Sequence, residues 1–286
     1  MEIAELAVDR DGFELRGWRS SQGPDGPFVL CLHETATSAD VWRPLAEALS
    51  SRAVAAAYDR RGWGRSGAPA DYRRTTIEEQ TADAEAVLDA LGARPAVLCG
   101  AGIGAVIALE LAVHRAARVA AAVLVEPPLF ALVPEATPVI SADVEAIRRA
   151  TLAAAGRLPA DVDPREGAAR GAKAAAELYL SGGLDALGAG AERIPPDLGR
   201  AAATGPFALF AEPPAVSAWT IPLAELTALR SRVAVVTAMS TPPFLRRAAE
   251  ALGARMPGAE PRRLNAAGLP QLDAAGELAE LALELS

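Results

Sequence analysis

The sequence predicts an α/β fold, a mostly parallel central sheet flanked by helices with an inserted helical cap. Three observations predict it. Short apolar runs alternate with stretches of helical spacing up to residue 125, and again from residue 233 to the end. The runs at 28–32, 96–99, 119–125 and 233–236 are continuously apolar, as strands covered on both faces are. Between Pro127-Pro128 and residue 220 strand character stops, and helical stretches with Gly- and Pro-rich loops replace it. The expected organisation is therefore 1–128 as the first part of the sheet core, 129–220 as the cap, and 221–286 as the second part of the core.

The elements follow in order. Residues 3–8 and 13–19 read as two edge strands joined at Asp11-Gly12, and 28–32 as a buried strand. Val41, Trp42, Leu45 and Leu49 have helical spacing over 41–50. A strand over 53–58 precedes a helix over 76–91. That helix is opened by Thr75 or Thr76, with Glu78 and Glu79 in the first turn, where the helix dipole favours acids. Then come a strand at 96–99, a helix at 103–114 and a strand at 119–125. Within the cap, 142–155 and 166–180 read as helices. The second core part reads as a strand at 233–236, a helix at 243–255, a strand near 260–264 and a helix at 275–285.

Composition narrows the function classes. At 286 residues and 51% hydrophobic, the chain can build a large core without metal or disulfide staples. A net charge of -8, spread along the chain, argues against a nucleic-acid partner. No apolar run approaches the roughly 18 residues of a membrane span. Glu2 and Glu5 break any basic-then-apolar leader pattern, so the expected compartment is the cytoplasm. Cys31 and Cys99 sit in apolar strand-like runs and are expected as packing residues. With two separated histidines and these two cysteines, no metal-ligand spacing is present. There is no phosphate-binding loop, and Gly100-x-Gly102-x-Gly104 does not match the dinucleotide spacing, so no cofactor is expected.

Three motifs carry more specific information. The first is Leu30-Cys31-Leu32-His33-Glu34, followed by Trp42. The second is Tyr58-Asp59-Arg60-Arg61-Gly62-Trp63-Gly64-Arg65-Ser66. The third is Leu98-Cys99-Gly100-Ala101-Gly102-Ile103-Gly104, leading into Ala105–Leu109. In this order and spacing the chain resembles the α/β-hydrolase superfamily over essentially its whole length. The resemblance implies an oxyanion-donor segment after the first motif and a nucleophile elbow at the third, where G-x-S-x-G places an exposed serine. Here the serine position holds Gly102.

Carried over residue by residue, the rest of the catalytic triad is also missing. The usual acid position after strand 233–236 reads Thr237-Ala238-Met239-Ser240-Thr241-Pro242, with no carboxylate. The loop expected to hold the histidine reads Asn265–Asp273, and the expected position falls on Leu269 or Gly268. His114 ends the elbow helix, where it suits the dipole and reads as a surface residue. His33 follows a central strand beside the expected pocket. The resemblance implies a structural role for it in the oxyanion loop, with direct chemistry as the alternative.

Ligands bind beyond the carboxyl ends of such strands. The candidate catalytic residues are therefore His33, Glu34 and Glu126, with Thr35, Gly102, Ile103, Ser240, Thr241 and Leu269 lining the pocket and oxyanion hole. Glu34 replaces the glycine usual in the family and would serve as acid or base if it points inward. Glu126 would stand where some members of the family carry the triad acid. Trp219, Phe207 and Phe210 read as core or cap-lining aromatics. Backbone donors alone are worth about 100- to 1000-fold, whereas a full triad carries about a millionfold in turnover. The expectation is therefore a non-triad, cofactor-free enzyme (lyase, isomerase, cyclase or direct hydrolase) acting on a small apolar carbonyl or ester compound. The alternatives are a non-catalytic, receptor-like small-molecule binder and an ester hydrolase with an unrecognised catalytic arrangement.

Overall fold

In the computed structural model, residues 2–20, 26–70, 72–92, 95–156, 164–198 and 206–286 are described. The strands are β1 (Ile3–Arg10), β2 (Phe13–Ser20), β3 (Phe28–Leu32), β4 (Val54–Tyr58), β5 (Ala96–Ala101), β6 (Val119–Val125), β7 (Arg232–Ala238) and β8 (Ala259–Leu264). They form one sheet in the order β1-β2-β4-β3-β5-β6-β7-β8. β1 pairs antiparallel with β2, and β2 antiparallel with β4; every other pairing is parallel. The crossover connections of the parallel part carry helices onto both faces, which is why β3, β5 and β6 are apolar without alternation. Cys31 and Cys99 are register partners across β3 and β5, both reduced and buried.

The helix Ile77–Ala90 shows how local sequence sets an element. Thr76 accepts from the Glu79 N–H at 3.1 Å while the Glu79 carboxylate accepts from the Thr76 N–H at 3.1 Å, a complete capping box. Thr76→Ala is expected to cost about 1 kcal/mol, read as a shift of the urea midpoint at constant slope. The helix expected over 41–50 is instead a 3-10 turn, Ala39–Trp42, followed by the α-helix Arg43–Leu49. Pro44 has no N–H to give and is tolerated only in a first turn, so the α-helix begins beside it.

Between β6 and β7 the chain runs through the helices Thr137–Ala155, Pro164–Leu180, Pro206–Ala218 and Leu223–Ala228. This segment crosses the carboxyl ends of the strands, where Tyr179, Leu187 and Glu212 face the elbow. Winding of the sheet reverses at β3, which has β4 on one side and β5 on the other. The crevice outside that switch point is where open α/β sheets bind ligands. The turn after β3 and the elbow after β5 are its two walls. Among the described residues, no helix is long and apolar enough to cross a membrane.

Candidate active site at the strand elbow

The elbow is built by glycines. β5 ends at Ala101, Gly102 adopts φ 54° and ψ -127°, and the helix Ile103–His114 starts at the next residue. That combination is sparsely populated by any residue with a side chain. The Gly102 N–H donates to the Val125 carbonyl at 3.0 Å, tying the turn to β6. Gly100 and Gly104 let strand and helix approach so closely that a Cβ on either would overlap backbone, at Gly104 and at Leu32 respectively. As the first helical residue, Ile103 has an N–H without an intrahelical acceptor, and the residue lines the cavity.

Gly102 and Glu34 are steric complements. A Cβ built on Gly102 would stand 2.8 Å from the Cβ of Glu34, a separation real side chains do not adopt. Glu34 therefore fills the space a side chain at 102 would need. Gly102→Ser combines this overlap with a strained φ and is expected to destabilise the fold by about 1–3 kcal/mol, measured by urea unfolding.

The Glu34 carboxyl accepts a hydrogen bond from the Gln271 side-chain amide. Burial and the nearby Glu126 carboxylate raise its pKa to about 7, partly offset by Arg193, the Gln271 amide and Arg60. Glu126 leaves β6 with φ 48°, an uncommon conformation for a residue other than glycine. Its oxygens accept from Arg193 Nη1 at 3.0 Å and Nη2 at 2.6 Å, a bidentate pair, and from the Thr241 hydroxyl at 2.5 Å. Arg193 Nη1 also reaches the Ser240 hydroxyl at 3.2 Å and the Gly268 carbonyl at 3.3 Å.

His33 lies below this layer. Its Nε2 accepts from the Arg60 N–H at 2.8 Å, so the proton sits on Nδ1, which donates to the Glu34 carbonyl at 2.7 Å. Burial, then the Arg60 guanidinium, push its pKa well below the ordinary value. With both ring nitrogens engaged and no exposure, His33 organises the Glu34–Thr37 turn. Arg60 donates Nε to the His33 carbonyl at 2.9 Å and forms a fully buried ion pair with Glu212. Glu212 also accepts from Trp63 Nε1 at 2.6 Å and from the Thr35 hydroxyl at 2.6 Å.

These groups surround a cavity of about 60 Å³. Glu34, Thr35, Gly102, Ile103, Glu126 and Glu212 form its floor and polar side; Pro128, Phe130, Tyr179, Leu187, Val216 and Leu245 form its apolar wall. By volume it admits a few waters or a small ligand. Of the expected pocket residues, four stand elsewhere. His33, as a catalytic candidate, is turned away from the cavity into the core. Thr241 is 2% exposed and committed to Glu126 and to the Ala238 N–H; Ser240 donates to the Gly268 carbonyl; Leu269 is 1% exposed in the core. The β7 and β8 loops thus back the site instead of lining it, and the Arg193 guanidinium ties them to Glu126. His114 contacts Glu110 at 3.0 Å and Glu225 at 2.8 Å, at the far end of the elbow helix.

Sequence reasoning missed Gln271, Arg60, Glu212 and Arg193. Two signals were present. Glu212 is a lone charge in the apolar stretch Pro206–Ala218, and Gln271 is the polar residue that follows Leu269-Pro270 in the stretch expected to hold the histidine. Among the described residues no group of three or more His, Cys, Asp or Glu side chains is placed to hold a metal ion.

Known proteins give this geometry its place. Aligned segments are 33% identical over 97 residues to 3-oxoadipate enol-lactonase 1 of Acinetobacter baylyi, covering 34% of this chain and 35% of that protein. They are 38% identical over 117 residues to an epoxide hydrolase of Caballeronia sordidicola, covering 41% and 35%. The chain thus aligns with about a third of the length of these curated relatives. A thermophilic esterase from Thermogutta terrifontis superposes with a TM-score of 0.70 at 17% identity, covering 99% of this chain and 97% of that one. An enol-lactonase from Burkholderia xenovorans gives 0.63 at 22% identity, with 99% of each chain covered. Those two likenesses carry the fold. A model of the alpha/beta hydrolase family matches residues 29–281, from β3 through the elbow to the last helix, and on that match the chain belongs to the alpha/beta hydrolase family.

Proposed function

We propose that this chain is a cofactor-free enzyme that works without a Ser-His-acid triad on a small, mostly apolar carbonyl or ester compound. The supporting observation is the exchange of occupants at the elbow. Where the family resemblance implies a serine there is Gly102, the space a side chain there would need holds the Cβ of Glu34, and the Glu34 carboxyl, lining the same cavity, is raised to about 7. A carboxyl titrating near neutrality is suited to proton transfer. In this reading Glu34 is the general base. It removes a proton from a carbon next to the carbonyl, or from an attacking water, while the Ile103 N–H receives the developing oxyanion. The reaction is then an elimination, isomerisation, cyclisation or direct hydrolysis with no covalent intermediate. Residues 129–220 act as a cap over the core parts 1–128 and 221–286, its apolar wall selecting the substrate. The cytoplasm is the proposed compartment, and nucleic acid is not a partner.

A panel of small uncharged esters, lactones and ketones, assayed before and after fluorophosphonate treatment, tests this. Turnover that survives the probe, with no serine labelled, is the expected result. Labelling with loss of turnover would show instead an ester hydrolase with a different catalytic arrangement. A second reading, a non-catalytic small-molecule binder, is favoured by one observation: Glu126, Glu212 and Thr35 are all satisfied by protein partners. Saturable binding of panel compounds without turnover would establish it.

A further inference from the structure

The connecting segment between β6 and β7 does more than cover the cavity. It sends one cation, Arg193, down to the strand ends. Its side chain is 8% exposed, and the guanidinium spans three separate loops: Glu126 after β6, Ser240 after β7 and the Gly268 carbonyl after β8. The backbone is shaped for this. Gly190, at φ 84°, lies against the folded-back side chain, and a Cβ there would stand 2.5 Å from Arg193 Nη2 and 2.8 Å from Nε. The glycine makes room for the guanidinium.

Glu126 and Glu34 line the same cavity, so whatever neutralises one acts on the other. We propose that Arg193 is a positioning residue: seated on Glu126, it cancels that charge and thereby sets how readily Glu34 gives up its proton. Withdrawn, it would leave two carboxyl groups facing one cavity, which cannot both ionise freely. The inference rests on the reading of Glu34 as the base for its meaning in catalysis, but its test does not need turnover.

The other groups facing Glu34 are accounted for. Arg60, from the loop after β4, is paired with Glu212 of the helix Pro206–Ala218. His33, beside it in the chain, is held neutral by burial and by the Arg60 guanidinium. Tyr179, from the helix Pro164–Leu180, is kept protonated by burial. Gln271 supplies an uncharged amide. Arg193 and Glu126 are left as the pair whose balance can move the Glu34 proton, with opposite signs.

The experiment is a carbon-13 NMR titration of carboxyl-labelled glutamate, with the Glu34 signal identified by its loss in Glu34→Gln. Arg193→Met is expected to raise the Glu34 midpoint by about one pH unit, and Glu126→Gln to lower it by a similar amount. Arg193→Lys should retain most of the wild-type value. The neutral pair Arg193→Met/Glu126→Gln should return the midpoint towards wild type, and it keeps the test open should Arg193→Met alone fail to fold. Midpoints that stay fixed in both single variants, or that move in the same direction, would overturn the proposal. Should the midpoints move as expected while Glu34→Gln retains full turnover, the reading of function falls and the charge coupling stands.

Discussion

Glu34→Gln is expected to lower kcat/KM by about 100- to 10,000-fold on any substrate that survives the fluorophosphonate test. The amide keeps the volume over Gly102 and removes the titratable oxygen, so the loss reports proton transfer and not a collapsed cavity. The pH profile gives the sharper check. A general base works ionised, and Glu34 is raised to about 7, so wild-type kcat/KM should rise with pH and level off above that value. In Glu34→Gln the inflection should vanish together with the rate. A profile that falls through 7 would make Glu34 the acid, and a flat profile at full rate would remove it from the chemistry.

The same group makes a stability prediction of opposite sense. A carboxyl raised in the folded state binds its proton more tightly folded than unfolded. The contribution of Glu34 to stability is then fully present below the ordinary carboxylate range and is lost as pH rises through about 7. Urea midpoints of the wild type should fall over that window relative to those of Glu34→Gln. A base held ready above the elbow is thus maintained at the expense of the fold.

Most of the sheet was legible because its signals are local. Buried parallel strands are unbroken apolar runs, and the helices Ile103–His114 and Ala275–Leu285 and the strand Val119–Val125 lie where periodicity put them. The elbow was legible because glycine spacing reports how closely a strand and a helix approach. Glu34 and Glu126 could be placed at strand ends by counting. Their partners could not: Gln271 is 237 residues from Glu34, and Arg193 is 67 from Glu126 across the least periodic part of the chain. For the same reason Ser240 and Thr241 were expected in the pocket wall. Nothing local says that their hydroxyls are taken up by Arg193, the Gly268 carbonyl and Glu126. His33 was open between structure and chemistry until the Arg60 N–H fixed its tautomer, a contact set by the stagger of β3 and β4.

The second large effect belongs to Glu212. Its carboxylate is 1% exposed and takes donors from Arg60, Trp63 and Thr35, so one side chain pins the helix Pro206–Ala218 to the loops after β3 and β4. Arg60 is fully buried, and its other hydrogen bonds go to the uncharged His33 carbonyl and Gln80 amide. Glu212→Ala would strand that guanidinium in the core. The expected loss is about 3–5 kcal/mol, read from urea unfolding at pH 7. Replacing both partners by apolar residues, Arg60→Met with Glu212→Leu, should recover most of that loss, since the cost comes from the uncompensated charge and not from the missing attraction. The double variant should nevertheless bind ligand poorly, because Glu212 also forms part of the cavity lining and holds the Thr35 hydroxyl. Stability restored without binding would show that the pair is kept for the shape of the site; a single Glu212→Ala variant as stable as wild type would show that Arg60 finds water there, and that the helix is held by its apolar contacts alone.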